Sequence, residues 1–520
     1  MSSIHKVCIS LLVALNTACG VVQHNDDATL AVELTTDDNR LLWQSTGQQQ
    51  VLHQAPGEIE ALYVSGEHIL WGQDPGAELW LGALQEGELN AAPLGALKHD
   101  IDGICAAPVD KGVLDIFISD GDGGLYHYWL QTVDATLTSV RRLNTNPDIE
   151  RCLLTEAAVV LDDPYLGPIA AQRDPENDAI LRPAPPLSDR QSKQLKSDSF
   201  ALDRNVVALP QHDYAVLTAS LETAAVDSHG DAADDPAILV GSDNYWIAGT
   251  DKQKGLGIYD ASGAQIHFLP RGRVNNVDAI PTGDDQFLLT ASNRTEKTID
   301  LYSANLAKNQ IEFTSAIPLN LADPYGLCMG RAANGDPQIF VGDSEGAVQH
   351  WQLSSGKAKM LQQWDFDTQT EGCVYDAEEN ALYVGQEELG IWRFGLSDGS
   401  RTLVEAIEAG NLVADVEGLD IYRRGDQRWL VASSQGEDAY AVYAMDPWRL
   451  VAKFRIGADY QRGLDGASET DGLAVTSAPL PGYPLGILVV QDGRNRSPQA
   501  NQNFKVVDWR KIDALIKTAH

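Results

Sequence analysis

Positive charge is scarce in this chain. Its 38 lysines and arginines stand against 74 aspartates and glutamates, a formal net charge of −36 over 520 residues. A field of that sign repels phosphodiester backbones, which excludes nucleic-acid binding through a basic face. A polyanionic substrate meets the same repulsion and needs intervening cations, for which clustered carboxylates make Ca²⁺ the natural candidate. Long apolar runs are also missing: nothing after the N-terminus reaches the ~18 consecutive apolar residues of a membrane-spanning helix. Helical periodicity is nearly absent outside the last dozen residues, where Trp509, Ile512, Leu515 and Ile516 share one helical face. There is no Gly-x-Ser-x-Gly elbow, Walker loop or His-Glu-x-x-His, and the 11 histidines show no ligand spacing. The 11 tryptophans are dispersed and read as packing residues rather than a sugar platform. With 43% hydrophobic residues, the chain is nevertheless folded and long enough for two or three domains.

Cysteine is sparse too, with six in all. Cys8 and Cys19 fall in residues 1–20, which read as a signal segment: Lys6, the apolar run Val7 to Leu15, then small residues up to Cys19 and Gly20. Thr17, Ala18 and Cys19 look like the end of a bacterial lipobox, although Asn16 stands where Leu is usual. The protein is thus expected to be exported, as an outer-membrane lipoprotein tethered through Cys19, a periplasmic protein or a secreted one. The other four, Cys105, Cys152, Cys328 and Cys373, are spaced 47 and 45 apart. In an oxidising compartment that suggests two equivalent disulfides, with four buried thiols as the other reading.

What is abundant is short β-rich runs between Gly, Asp and Asn turns, such as Ile299 to Tyr302, Ala381 to Gly385 and Tyr440 to Tyr443. The fold class is all-β. A polar residue, a glycine and an apolar residue recur as Tyr325-Gly326-Leu327, Glu371-Gly372-Cys373, Glu417-Gly418-Leu419 and Asp471-Gly472-Leu473, with glycine spacings of 46, 46 and 54. Asn276-Val277-Asp278 and Asp234-Asp235-Pro236 occupy the two preceding places, which makes six units. A period of 40 to 50 residues with about four short strands per unit predicts a six-bladed β-propeller over residues 201–520. The residues before the glycines would then converge on its channel.

A second repeat relates the two halves. Asp100 to Tyr128 aligns without gaps on Asp323 to Trp351, matching Gly103 with Gly326, Cys105 with Cys328, Asp120 with Asp343 and His127 with His350. Glu150 and Cys152 continue the register against Glu371 and Cys373, and Gly47 matches Gly263 upstream. Residues 30–180 are therefore expected to form a shorter, partial propeller-like domain of roughly four blades. Its polar positions have decayed, with Thr36 opposite Lys252 and Pro164 opposite Glu387. Residues 181–200, rich in Pro, Ser and charge, read as a linker.

The C-terminal half resembles the β-propeller phytases, also called alkaline or calcium-dependent phytases. The resemblance is carried by DAADDPAI (Asp231 to Ile238), NNVD (Asn275 to Asp278), ASNR (Ala291 to Arg294), TEGC (Thr370 to Cys373), DVEGL (Asp415 to Leu419), ASSQG (Ala432 to Gly436), DGASETDG (Asp465 to Gly472) and QDGRN with ANQNFKVV (Gln491 to Val507). It implies stepwise hydrolysis of myo-inositol hexakisphosphate, or its calcium salt, by Ca²⁺-bound water in the funnel. It further implies that Glu222, Asp234, Asp235, the Val277 backbone, Glu371, Glu387, Asp415, Glu417, Gln435, Asp465, Asp471, Asp492 and Asn495 ligate several Ca²⁺ ions or support their ligands. Lys252, Arg294 and Tyr325 match the family's phosphate-binding residues, and Glu387 is the choice for fixing the ions around the attacking water. Asp415 and Glu417, two apart in an expected strand, would face the same side.

Two departures stand out. Where the family usually has a lysine before an acid, this chain has Ser344-Glu345, so the resemblance puts Glu345 among the phosphate-site residues with one phosphate-binding lysine missing, and a weaker hold on one phosphate is expected. Arg494 stands where a carboxylate is frequent, and either costs a calcium ligand or supplies positive charge. A non-catalytic, calcium-stabilised binding propeller is the alternative reading, and a lactonase-like metal-dependent propeller a third. The protein is expected to be a monomer.

Overall fold

The computed structural model describes residues 33–45, 48–85, 88–197, 200–201 and 214–518. The signal segment, with Cys8 and Cys19, and Gly47 lie outside them. The chain divides into two compact units, one of residues 1–211 with 496–499 and the other of 212–495 with 500–520.

The second unit is built from six sheets, each contributing one blade. In chain order the blades begin with the strands Ala233–Val240, Val274–Gly283, Pro324–Arg331, Thr370–Asp376, Leu419–Arg424 and Leu473–Thr476. Each of these first strands packs against the next, and the sixth packs back against the first, so the sheets form a closed ring. The segment that precedes the ring closes it by strand pairing. Leu221–Glu222 pairs antiparallel with Asn503–Asp508 as the outer strand of blade six, and Ala215–Thr218 adds in parallel to the outer strand of blade five. The helix Trp509–Thr518 packs Trp509, Ile512 and Ile516 into the apolar core of these two blades, as its periodicity predicts.

The repeating glycines have a steric cause. A Cβ on Gly326 would lie 1.9 Å from the carbonyl oxygen of Glu371, and one on Gly372 would lie 1.6 Å from that of Glu417. One on Gly418 would meet Leu473 N at 2.6 Å and the Asp471 carbonyl at 2.9 Å, and one on Gly472 would meet the Asp235 side chain at 2.3 Å. Each glycine thus lets the next blade's backbone come close enough to seal the ring, and places the polar residue of that blade beside it. The six anchors read from the sequence all fall at or just before a first strand.

The first unit consists of four four-stranded sheets, beginning with Glu33–Asp37, Glu58–Ser65, Gly103–Asp110 and Cys152–Leu154. Consecutive first strands pack on one another. Gly103 repeats the device of Gly326, since its Cβ would lie 2.4 Å from the Glu150 carbonyl. Both disulfides form, Cys105 to Cys152 and Cys328 to Cys373, each with a Cα separation of 5.6 Å. In each unit the bond joins the first strands of neighbouring sheets.

The structure departs from the sequence reading in two places. The stretch expected to be a linker contributes regular structure: Arg182–Pro183 is the outer strand of the fourth sheet and Asp189–Leu195 is a helix with Leu195 buried. A reciprocal capping box between Ser188 and Gln191 starts that helix, a local signal hidden by the prolines around it. Asp415 and Glu417 lie in irregular chain before the strand, which begins only at Leu419. No helix among the described residues is long and apolar enough to cross a membrane.

Candidate active site in the propeller funnel

The funnel wall is assembled from residues that precede or open the first strands. Glu371 enters blade four, Glu417 precedes blade five, and Glu387 follows the second strand of blade four. Ligand oxygens of these three lie within 4.8 Å of one another, and all three side chains are buried. Among the described residues no other group of His, Cys, Asp and Glu comes that close. Burial, followed by the charges of Asp234 and Glu417, holds the Glu371 carboxyl well above the ordinary range. Glu417 is raised likewise, by burial and then by Glu387 and Asp471, although Glu371 hydrogen-bonds to it. Glu387 is pushed up to about 7 by burial and by Asp415, while a hydrogen bond from Gln369 opposes the shift.

Beside the trio stand the cationic groups. Lys252 Nζ lies 2.7 Å from Asp231, 3.1 Å from Asp234 and 3.4 Å from Asp471. Burial works against its charge, but these acids more than offset it and raise its pKa. Asp471 also accepts a hydrogen bond from Gln435 at 2.5 Å, and burial and Asp234 push it up to about 8. On the other side, Arg294 pairs with Asp323, donating from Nε at 3.0 Å and again from Nη2. Its Nη1 donates to Asn275 at 3.0 Å, and its guanidinium lies 4.9 Å over the Tyr325 ring. Burial first, then Glu371, Asp234 and Glu417, keep the Tyr325 phenol protonated.

Other predicted residues form a second group. Glu222, Asp465 and Asp492 converge on the fully buried Lys505, whose Nζ is 2.5, 2.5 and 3.3 Å from them. Asn495 donates to the Asn501 carbonyl at 2.8 Å. Asp235 is buried and accepts from the Val277 backbone N–H at 3.0 Å, so these two bridge blades one and two. Asp415 contributes charge near Glu387 and is half-buried. Glu345 is exposed, and its backbone N–H donates to Asp343. Arg494 pairs with Glu469. The sequence reading missed Asn275, Asp231, Asp323 and Lys505. Asn275, Asp231 and Lys505 sit inside the motifs NNVD, DAADDPAI and ANQNFKVV, which was the signal available.

The donor set fits a hard divalent cation. Asp234 Oδ1, Glu387 Oε1 and Glu417 Oε2 are buried without a hydrogen-bond partner, and every candidate donor is an oxygen. Buried acids that repel one another are costly as anions and become favourable once a cation lies between them.

A closed six-bladed ring whose channel gathers buried carboxylates beside a lysine and an arginine is a propeller with an acid cluster that fits a cation and with cationic groups that suit an anion. A family model described as Phytase matches residues 191–519. A 3-phytase of Bacillus subtilis (strain 168) is 35% identical over 329 residues, covering 58% of this chain and 85% of its own. The chain belongs to the phytase family and is a phosphoric monoester hydrolase. Phytases of this family are in general calcium-dependent.

Proposed function

We propose that the propeller is an exported, 3-phytase-type hydrolase that removes phosphate from myo-inositol hexakisphosphate, free or as its calcium salt. The observation that carries this reading is the buried Glu371, Glu387 and Glu417 trio, with its unpartnered oxygens, next to Lys252, Arg294 and Tyr325. Glu371, Glu387, Glu417, Asp234, Asp415, Asp471 and Gln435 would hold Ca²⁺ in the funnel. Asp235, the Val277 backbone, Glu222, Asp465, Asp492 and Asn495 would hold or support further ions around it. Bound there, calcium supplies neutralisation of phosphate charge and acidification of water. The side chains supply the rest: Lys252 and Arg294 draw in the anion, Arg294 with a fork that can meet two phosphate oxygens. Tyr325, held protonated, donates a hydrogen bond to phosphate oxygen, and Glu387 orients what the trio holds.

Export is supported by the charged, apolar and small-residue order of residues 1–20 and by two disulfides, which persist in oxidising compartments. Lipidation of Cys19 would tether the protein to a membrane. The gap-free match of Asp100 to Tyr128 on Asp323 to Trp351 supports an origin of the first unit by duplication, without its catalytic set.

The test is phosphate release from inositol hexakisphosphate at neutral to mildly alkaline pH, with Ca²⁺ or with excess chelator, for wild type and Arg294→Ala. Calcium-dependent release that is lost in the variant is the expected result. A folded, calcium-loaded wild type that releases nothing would overturn the reading.

A further inference from the structure

Arg294 follows the second strand of blade two and Glu371 opens blade four, yet one side chain joins them. Asn275, in the first strand of blade two, is 0% exposed. Its Oδ1 accepts from Arg294 Nη1 at 3.0 Å, and its Nδ2 donates to Glu371 Oε1 at 2.8 Å. The orientation of the amide follows from chemistry. A guanidinium has only donors, so the atom facing it is the oxygen, and the amino group then faces the carboxylate. No acid could serve both neighbours, because it accepts only, and no apolar residue could serve either.

Two other groups restrain Arg294. Asp323 holds Nε and Nη2, and the Tyr325 ring lies beneath the guanidinium. Without Asn275, Nη1 loses the partner that ties it to Glu371, and only Asp323 and the Tyr325 ring set the direction of the fork. At the same time Glu371 loses a neutral donor, while burial and the facing Asp234 and Glu417 remain.

We propose that Asn275 is a positioning residue through which the phosphate-gripping Arg294 and the metal-holding Glu371 fix each other's orientation. The proposal rests on the reading of this funnel as a calcium-dependent phosphohydrolase site. Cation binding and anion binding should then be coupled through the amide, each stiffening the group the other needs.

The experiment is a double-mutant cycle on the full chain, read by binding as well as by turnover. Myo-inositol hexakissulfate, which the enzyme cannot hydrolyse as a phosphate, is titrated into calcium-loaded wild type, Asn275→Ala, Arg294→Ala and the double variant. Calcium alone is titrated into the chelator-stripped proteins. A lost hydrogen bond to a charged group predicts hexakissulfate binding about tenfold to a hundredfold weaker in N275A, with KM for the phosphate substrate moving the same way. The loss should vanish when Arg294 is already alanine, and calcium binding should weaken in N275A in the absence of any anion. An effect of less than about threefold on both titrations overturns the proposal, as does an anion effect that persists undiminished in the R294A background. Asn275→Leu keeps a similar branched shape but has neither the acceptor for Arg294 nor the donor to Glu371. If N275A does not fold, N275L takes its place in the same cycle, and the same two results overturn the proposal. A wild type that binds no hexakissulfate and releases no phosphate would instead fail the functional reading itself. Binding and release by wild type with a silent N275A fails only the role of Asn275.

Discussion

Replacing Glu387 with glutamine should stabilise the protein in one solution and destabilise it in another. In the metal-free protein, burial and the nearby Asp415 push the Glu387 carboxyl from its ordinary 4.5 up to about 7. The folded chain therefore binds this proton more tightly than the unfolded chain does. Stability from the neutral carboxyl is complete below about pH 4.5 and is lost as the pH rises through about 7. At 1.36 kcal/mol per pH unit, the ionised side chain costs the metal-free fold about 3 kcal/mol at pH 8, taken as a ceiling. A glutamine at this position would carry no charge at any pH, so E387Q should match wild type in chelator at pH 5 and exceed it at pH 8. A gain of that size is several degrees in melting temperature. Saturating calcium reverses the order, because wild type gains the binding energy of a ligand that glutamine replaces poorly. That gain is about 3 kcal/mol when calcium is at a hundred times its dissociation constant. The assay is thermal unfolding of both proteins at pH 5 and pH 8, with chelator and with calcium. Equal destabilisation of E387Q in all four conditions would refute the reasoning, since Glu387 would then be a packed side chain whose charge is never confined.

Excess chelator should lower the melting temperature of wild type at pH 8 and abolish phosphate release, and an unchanged melting curve would contradict cation holding by the funnel acids. Glu417→Ala in the full chain should remove all release, and residual calcium-dependent turnover would show that the first unit has a site of its own. Lys505→Met strands Glu222, Asp465 and Asp492 without their shared ammonium and should cost about 3 to 5 kcal/mol, measured by urea unfolding with and without calcium. Replacing Cys328 and Cys373 by serine opens a loop with a sequence separation of 45 and should cost about 4 kcal/mol, with calcium-dependent release retained at low temperature.

The ring was legible in the sequence because its closure is a backbone contact. Where Gly326, Gly372, Gly418 and Gly472 let one blade's chain meet the next, no larger residue fits, and the period is written in the chain. The acids before three of those glycines were legible for the same reason, since they sit where first strands meet. What could not be read was the choice of partner. Lys505 reaches Glu222 across 283 residues, and Lys252 reaches Asp471 across 219, so neither contact has a local pattern. Asn275 was only the first residue of NNVD, with no role assigned, because its function depends on what converges on its two ends. The start of the fifth blade was misjudged because alternation continues through Asp415 to Glu417, although ladder pairing begins only at Leu419.

The two units separate what packing requires from what chemistry requires. Both keep a glycine against the next sheet's backbone, Gly103 on Glu150 and Gly326 on Glu371, and both tie the same pair of strands by a disulfide. Both also keep the acid, but Glu150 is exposed whereas Glu371 is buried among Glu387, Glu417 and Asn275. Asp102 is the first unit's counterpart of Tyr325, so an acid stands there in place of a phenol. An exposed carboxylate is already solvated and gains little from a cation, whereas a buried one gains much. The number of acids is therefore a poor guide to the site. Its signature is acids that the fold has withdrawn from water and left without enough donors, with a cationic fork held beside them.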